Sequence, residues 1–144
     1  MAAALTSIGV VGVMGAFDAA DKIVMADDLA TRALALAESR LEVKRAVPWA
    51  QLLFDDLDHD GVLETSMHDD GSEGDRIAGD GIYSALQEQE GVTILWTVAA
   101  HSPGPLDTAG AVVIEARGMY AAAGRLREVR LATLRANSSL TGRQ

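Results

Sequence analysis

The chain has 144 residues, room for one compact domain and little else, and nearly half of them are apolar, so it can bury a core. A formal net charge of −9 argues against nucleic acid as a partner, because phosphate binding needs clustered Lys and Arg. Cysteine is absent, which excludes disulfides, thiolate metal sites and cysteine nucleophiles.

With two residues each of Trp, Tyr and Phe, the composition favours tight helix packing over a large aromatic-lined pocket. Charge is unevenly spread. Between Asp55 and Glu90 there are twelve acids and one base, Arg76; from Glu115 onward six arginines face Glu115 and Glu128. An acidic middle followed by a basic end reads as internal pairing, as head-to-tail contact between copies, or as solvated faces.

Met1 to Phe17, MAAALTSIGVVGVMGAF, carries no charge and spans roughly 25 Å as a helix, somewhat short of a ~30 Å hydrocarbon core. The run meets Asp18, Asp21 and Lys22 yet stays helix-compatible, with no proline before Pro48. From Met25 to Arg45 strong helix formers dominate. Leu29, Ala33, Leu36 and Val43 recur at helical intervals with Ala37 alongside and Arg40 interrupting, while Arg32, Glu38, Glu42 and Arg45 fall elsewhere. The expectation is one helix of about 44 residues, apolar all round in its first half and one-sided in its second. Such a helix faces two solvents: lipid or a bundle for residues 1–25, a folded domain for residues 26–47. Two other readings of the run stay open, a cleaved signal peptide lacking its usual basic start and a buried core helix.

These residues, ALTSIGVVGVMGAFDAADK continued by ATRALALAESRLEVKR and Trp49, resemble the type IV pilins and the pseudopilins of type II secretion, especially their minor subunits. The resemblance implies an inner-membrane anchor with a periplasmic head, a helix that packs against other subunits in the assembled, cell-surface filament, and no enzymatic activity. The family's processing signal, a glycine before a Phe-Thr-Leu-like start and a glutamate, is absent. Met1 falls inside the usual mature helix, and no assembly residue carries over.

After Pro48, the residues Trp49, Leu52, Leu53 and Phe54 read as an anchor for the first core layer. DDLDHDGVLE follows. Asp56, Asp58 and Asp60 stand at alternate positions, Gly61 allows a sharp turn, Val62 offers a carbonyl and Glu64 takes the ninth place, the first half of a calcium loop. The twelfth place, where a bidentate glutamate would close an EF-hand, is Met67. A second cluster, HDDGSEGDRIAGDGIYSA, supplies Asp69, Asp70, Asp75 and Asp80 between glycines. It resembles the DDG-x-x-GD-x-x-AGDGIYS signature that precedes a strand in β-sandwich modules of bacterial surface proteins. So many carboxylates in residues 55–81 repel one another unless a cation or water screens them; calcium, taking six to eight oxygens in flexible loops, is the expected cofactor, and a solvated, metal-free loop is the alternative. His59, His68 and His101 lack the spacing of a helical zinc site.

Beyond Ile82 the period becomes two. Val92, Ile94, Trp96 and Val98 mark one strand, Val112, Ile114 and Ala116 a second, Val129 and Leu131 a third, and Ile82–Gln87 a fourth, with turns at SPGPLDTAG and near Ala123. The fold class expected is α+β: the long helix over 1–47, packed on a three- to four-stranded antiparallel head over 48–136, and a frayed end over 137–144. No nucleophile elbow, P-loop or dinucleotide fingerprint occurs, so no catalytic residue is assigned. The functional expectation is a minor pilin or pseudopilin-like filament subunit. The alternatives are an exported calcium-binding β module with a cleaved signal peptide and a metal-assisted hydrolase working from the acidic loop.

Overall fold

The computed structural model describes residues 2–58 and 60–138, with side chains from Ala20 onward. Among the described residues the one α-helix, α1, runs Ala2–Ala46. Two short strands, β1 (Phe54–Asp55) and β2 (Thr65–Ser66), pair as an antiparallel ribbon. Then β3 (Ile82–Gln89), β4 (Val92–Ala100), β5 (Ala111–Ala122) and β6 (Arg125–Ala136) form a four-stranded antiparallel meander in chain order. The α+β architecture, one long helix on antiparallel strands, is therefore present. The ribbon was not anticipated, since two-residue strands leave no periodicity to read.

Two tight hairpins set the meander. Glu90–Gly91 joins β3 to β4 and Ala123–Gly124 joins β5 to β6, with φ of 51° and 78° in the first and 52° and 72° in the second. Positive φ at both central residues makes type I′ turns, whose twist matches that of the strands they connect. Register follows directly: Gln89 faces Val92 and Ala122 faces Arg125.

The second half of α1 lies on one face of this sheet. Ala33, Ala37 and Leu41 are buried, with Leu29, Ala30 and Leu36 half-buried beside them. Val92, Ile94, Trp96 and Val98 of β4 and Val112, Ile114, Ala116 and Tyr120 of β5 complete the same core. Small residues govern the approach: a Cβ added at Gly118 would stand 2.6 Å from the backbone oxygen of Ala33. Arg40 does not interrupt the apolar stripe but belongs to it. Its stem lies in the core, its guanidinium sits 5.0 Å from the Trp96 ring centroid, and it donates to Gln87 Oε1. The anchor after Pro48 is only partly sunk: Leu52 is buried, Trp49 and Leu53 half-buried, and Phe54 exposed.

The end of the helix is tied from a distance. Arg135 of β6 donates through Nη1 to Lys44 O (2.6 Å) and through Nη2 to Val47 O (2.5 Å), and its guanidinium lies over Trp49. A planar fork thus satisfies carbonyls that α1 leaves without intrahelical partners. We expect Arg135→Ala to cost about 2 kcal/mol in urea melts and Arg135→Lys to recover only part of it, since an ammonium cannot reproduce the fork.

Asn137, assigned by sequence to the frayed end, is buried: its N–H donates to Gly110 O (2.8 Å) and its Nδ2 to Ala109 O (3.1 Å). The remainder of that segment, 139–144, lies outside the described residues. At the other end, Ala20–Met25 is exposed, including Ile23, Val24 and Met25 at 63%, 67% and 68%. The side chains of the uncharged run Met1–Phe17 lie outside the described residues. Among the described residues no helix is long and apolar enough to cross a membrane.

Candidate metal centre

The ribbon β1–β2 closes a nine-residue loop, 56–64, and plants it on the core. Glu64 N donates to Asp55 O, and Met67 N to Leu53 O. Met67, where an EF-hand would carry its closing ligand, is a buried core side chain. Within the loop the carboxylates fold back on the chain. Asp56 accepts from Asp60 N (3.1 Å) and Gly61 N (2.8 Å), Asp58 from Asp60 N (3.1 Å), Asp60 from Val62 N (2.7 Å) and Glu64 from Leu57 N (2.7 Å). The result gathers Asp56, Asp58, Asp60 and Glu64 so that one oxygen of each lies within 4.8 Å of the others. Oxygens bound about 2.4 Å from one calcium ion stand no more than about 4.8 Å apart, so the set fits a hard divalent cation. Val62 is exposed and sits in the same turn through its N–H.

The second loop, 69–81, gathers a separate set: Asp69, Asp75 and Asp80, again within 4.8 Å of one another. Asp69 is its hub, accepting from Gly79 N (2.7 Å), Asp80 N (3.1 Å) and Gly81 N (2.9 Å). Asp75 accepts from Gly71 N and Ile77 N, and Asp80 from Ile82 N. Asp70 is not in the set. Its carboxylate turns to the hydroxyl and N–H of Ser72, and that hydroxyl bond holds its pKa below the ordinary value. Of the eight carboxylates named from sequence, seven gather into two groups, with Asp70 outside both.

The second loop is held against the sheet face opposite α1. His68 and Ser84 exchange backbone hydrogen bonds, and Ser84 Oγ donates to Glu73 O. Gly74, at φ 89°, lies so close over Leu95 of β4 that an added Cβ would stand 2.4 Å from Leu95 Cδ1. The left-handed backbone is what favours glycine there, since the Leu95 methyl can move aside. Neither His68 nor His101 joins a group of candidate ligands among the described residues, and His59 lies outside them.

Beneath the first loop is an ionic site that the sequence reading missed. Lys44 Nζ, fully buried, donates to Leu52 O (2.8 Å) and Phe54 O (3.0 Å) and pairs with Asp55 Oδ2 (2.8 Å). The same Asp55 oxygen accepts from Trp96 Nε1 (2.9 Å), whereas Asp55 Oδ1 is buried without a partner. Burial pulls the Lys44 ammonium below its ordinary pKa, and the charge and hydrogen bond of Asp55 oppose that pull. The signal was present: Ala33, Ala37, Arg40 and Lys44 form one face at helical spacing.

Aromatic side chains also wall a cleft of about 580 Å³, lined by Trp49, Leu53, Phe54, Tyr83 and Leu106. Composition had favoured tight packing over such a pocket. Its lining is largely apolar, with Asp107 as its one acid.

Comparison with known proteins finds no match: no protein family, no curated protein and no solved structure aligns with the chain.

Proposed function

We propose that the protein is a structural subunit of a filament of the type IV pilin or type II secretion pseudopilin kind, with a calcium-stabilised head. The observation that carries this reading is the division of labour along α1. Its second half forms part of the head's core, and the continuous helix extends N-terminally from Ala26 for about 36 Å of further rise. The exposed Ile23, Val24 and Met25 begin that extension, and the uncharged run Met1–Phe17 continues it in sequence. An apolar helix carried beyond a folded head suits packing against the same helix in neighbouring copies, or insertion in the inner membrane before assembly. This role requires no catalysis.

Cell fractionation tests it. The full chain is expected in the membrane or filament fraction, and deletion of residues 1–17 is expected to release it. A full chain that is already freely soluble would overturn the reading.

The calcium claim rests on the two carboxylate groups and is tested separately. Calcium at about 100 times its dissociation constant should raise head stability by about 2.7 kcal/mol, read as a higher melting midpoint that a chelator reverses. Asp58→Ala and Asp75→Ala should each shrink that rise, and Asp70→Ala should leave it intact. A midpoint unmoved by millimolar calcium would remove the metal and leave the filament reading standing. The same two loops also suit an exported calcium-binding module, and N-terminal sequencing of the mature protein separates the two readings.

A further inference from the structure

We infer that the head carries a head-to-tail interface for a second copy of this chain, in which the acidic β3 edge of one copy receives the basic β6 strand of the next. The contact deepens the filament reading and rests on it for its setting alone.

Internal pairing, one of the three meanings open for the charge asymmetry, is not what the fold does with it. Among the described residues, no carboxylate from Asp56 to Asp80 makes an ion pair, and neither do Arg125 and Arg127. The basic residues that are paired use other partners: Arg117 and Arg130 bind Glu115, and Arg135 caps α1. Unpaired charges of opposite sign therefore remain in the 56–80 segment and on β6, where Arg125 and Arg127 share the α1 face with Ala122 and Tyr120.

Their separation is fixed by topology. The His68–Ser84 bridge ties the start of the 69–81 loop to the β3 edge, and Gly74 reaches over the sheet face to Leu95 of β4. β6 is the opposite edge, three strand spacings or roughly 14 Å away. Large apolar side chains are exposed as well, Ile77 (62%) in the 69–81 loop and Leu126 (75%) and Leu134 (59%) on the face of β6 away from α1. Because the two patches belong to opposite edges of the sheet, each faces a different neighbour. They mate heterologously, and such a contact repeats from copy to copy. Calcium in both loops would lower the acidic charge without reversing it: nine carboxylates from Asp56 to Asp80, less Arg76 and four ion charges, leave a net −4.

The absence of native cysteine makes the test direct. Full-length chains carrying Ile77→Cys or Leu126→Cys are treated with a short bis-maleimide linker, separately and mixed. The mixture is expected to give a cross-linked dimer, each single variant to give little, and a chain carrying both substitutions to give a ladder. Adding Arg125→Glu and Arg127→Glu to the Leu126→Cys chain should cut the mixed product about tenfold or more, since each like-charge contact repels. No mixed product, or single variants that link to themselves as well as the mixture does, would overturn the interface. Loss of the cross-link with membrane or filament fractionation intact defeats the interface alone. A cross-link that persists in a freely soluble full chain defeats the filament reading alone.

Discussion

Asp55→Ala is expected to destabilise the head by about 3–5 kcal/mol, because it strands a buried ammonium without its counter-ion. Lys44 would keep Leu52 O and Phe54 O as acceptors, but the charge it shares with Asp55 would be uncompensated, with the Arg40 cation nearby adding repulsion. Trp96 Nε1 would lose its partner as well. The sign of the pH response follows. Without Asp55 the folded state sheds the Lys44 proton at a lower pH than the unfolded chain does. The unfolded state then binds more protons between those two values, so the variant's stability rises with pH and its deficit narrows in alkali. Urea melts across pH check this, and a deficit that widens with rising pH would contradict it. Replacing both partners with apolar residues, Lys44→Met with Asp55→Leu, should restore part of the loss, since a missing pair costs less than a broken one. Recovery stays incomplete because Leu52 O, Phe54 O and Trp96 Nε1 are still left without partners.

Gly118→Val is the second large effect, at about 3 kcal/mol or complete loss of the packed state. A Cβ there would lie 2.6 Å from Ala33 O, 2.8 Å from Ala33 Cβ and 3.0 Å from Ala33 C. Most of that collision is with helix backbone, which no rotamer change relieves, so α1 must lift off β5. Ala33→Gly should therefore rescue little. Gly110→Ala is the control: an added Cβ meets nothing within 4 Å, and the variant should melt within about 1 kcal/mol of the parent. Near-UV circular dichroism of Gly118→Val should also report the displaced Trp96. Equal melting of the Gly118 and Gly110 variants would contradict the close approach.

Much of the fold was legible because its elements are long and regular. The stripe through Ala33 and Ala37 gave the helix its buried face, and the alternation through Trp96 and Ile114 gave the central strands. The acidic loops were legible from spacing, since alternate aspartates ahead of glycine fold back on the chain whatever packs below. Three things were not. Arg40 read as a polar break in an apolar face and Lys44 was passed over, because a linear pattern does not reveal that their stems are core and their heads have partners. Asp55 was counted with the solvated acids beside it, although strand alternation in β1 turns it inward while Phe54 faces out. The split of the carboxylates into two sites, with Asp70 drawn to Ser72, depends on loop closure by β2 and His68, pairings too short to leave a pattern.

The seating of α1 in the sheet also settles how the molecule bears tension. A pull along the rod reaches the head through residues that are themselves its interior, Ala33, Ala37 and Leu41, and through the Arg135 clasp at the far end. Among the described residues α1 runs unbroken from Ala2 into the core, so stretching is not absorbed by swivelling. The load enters β5 as shear along its length, and the joint yields only when the knob itself comes apart.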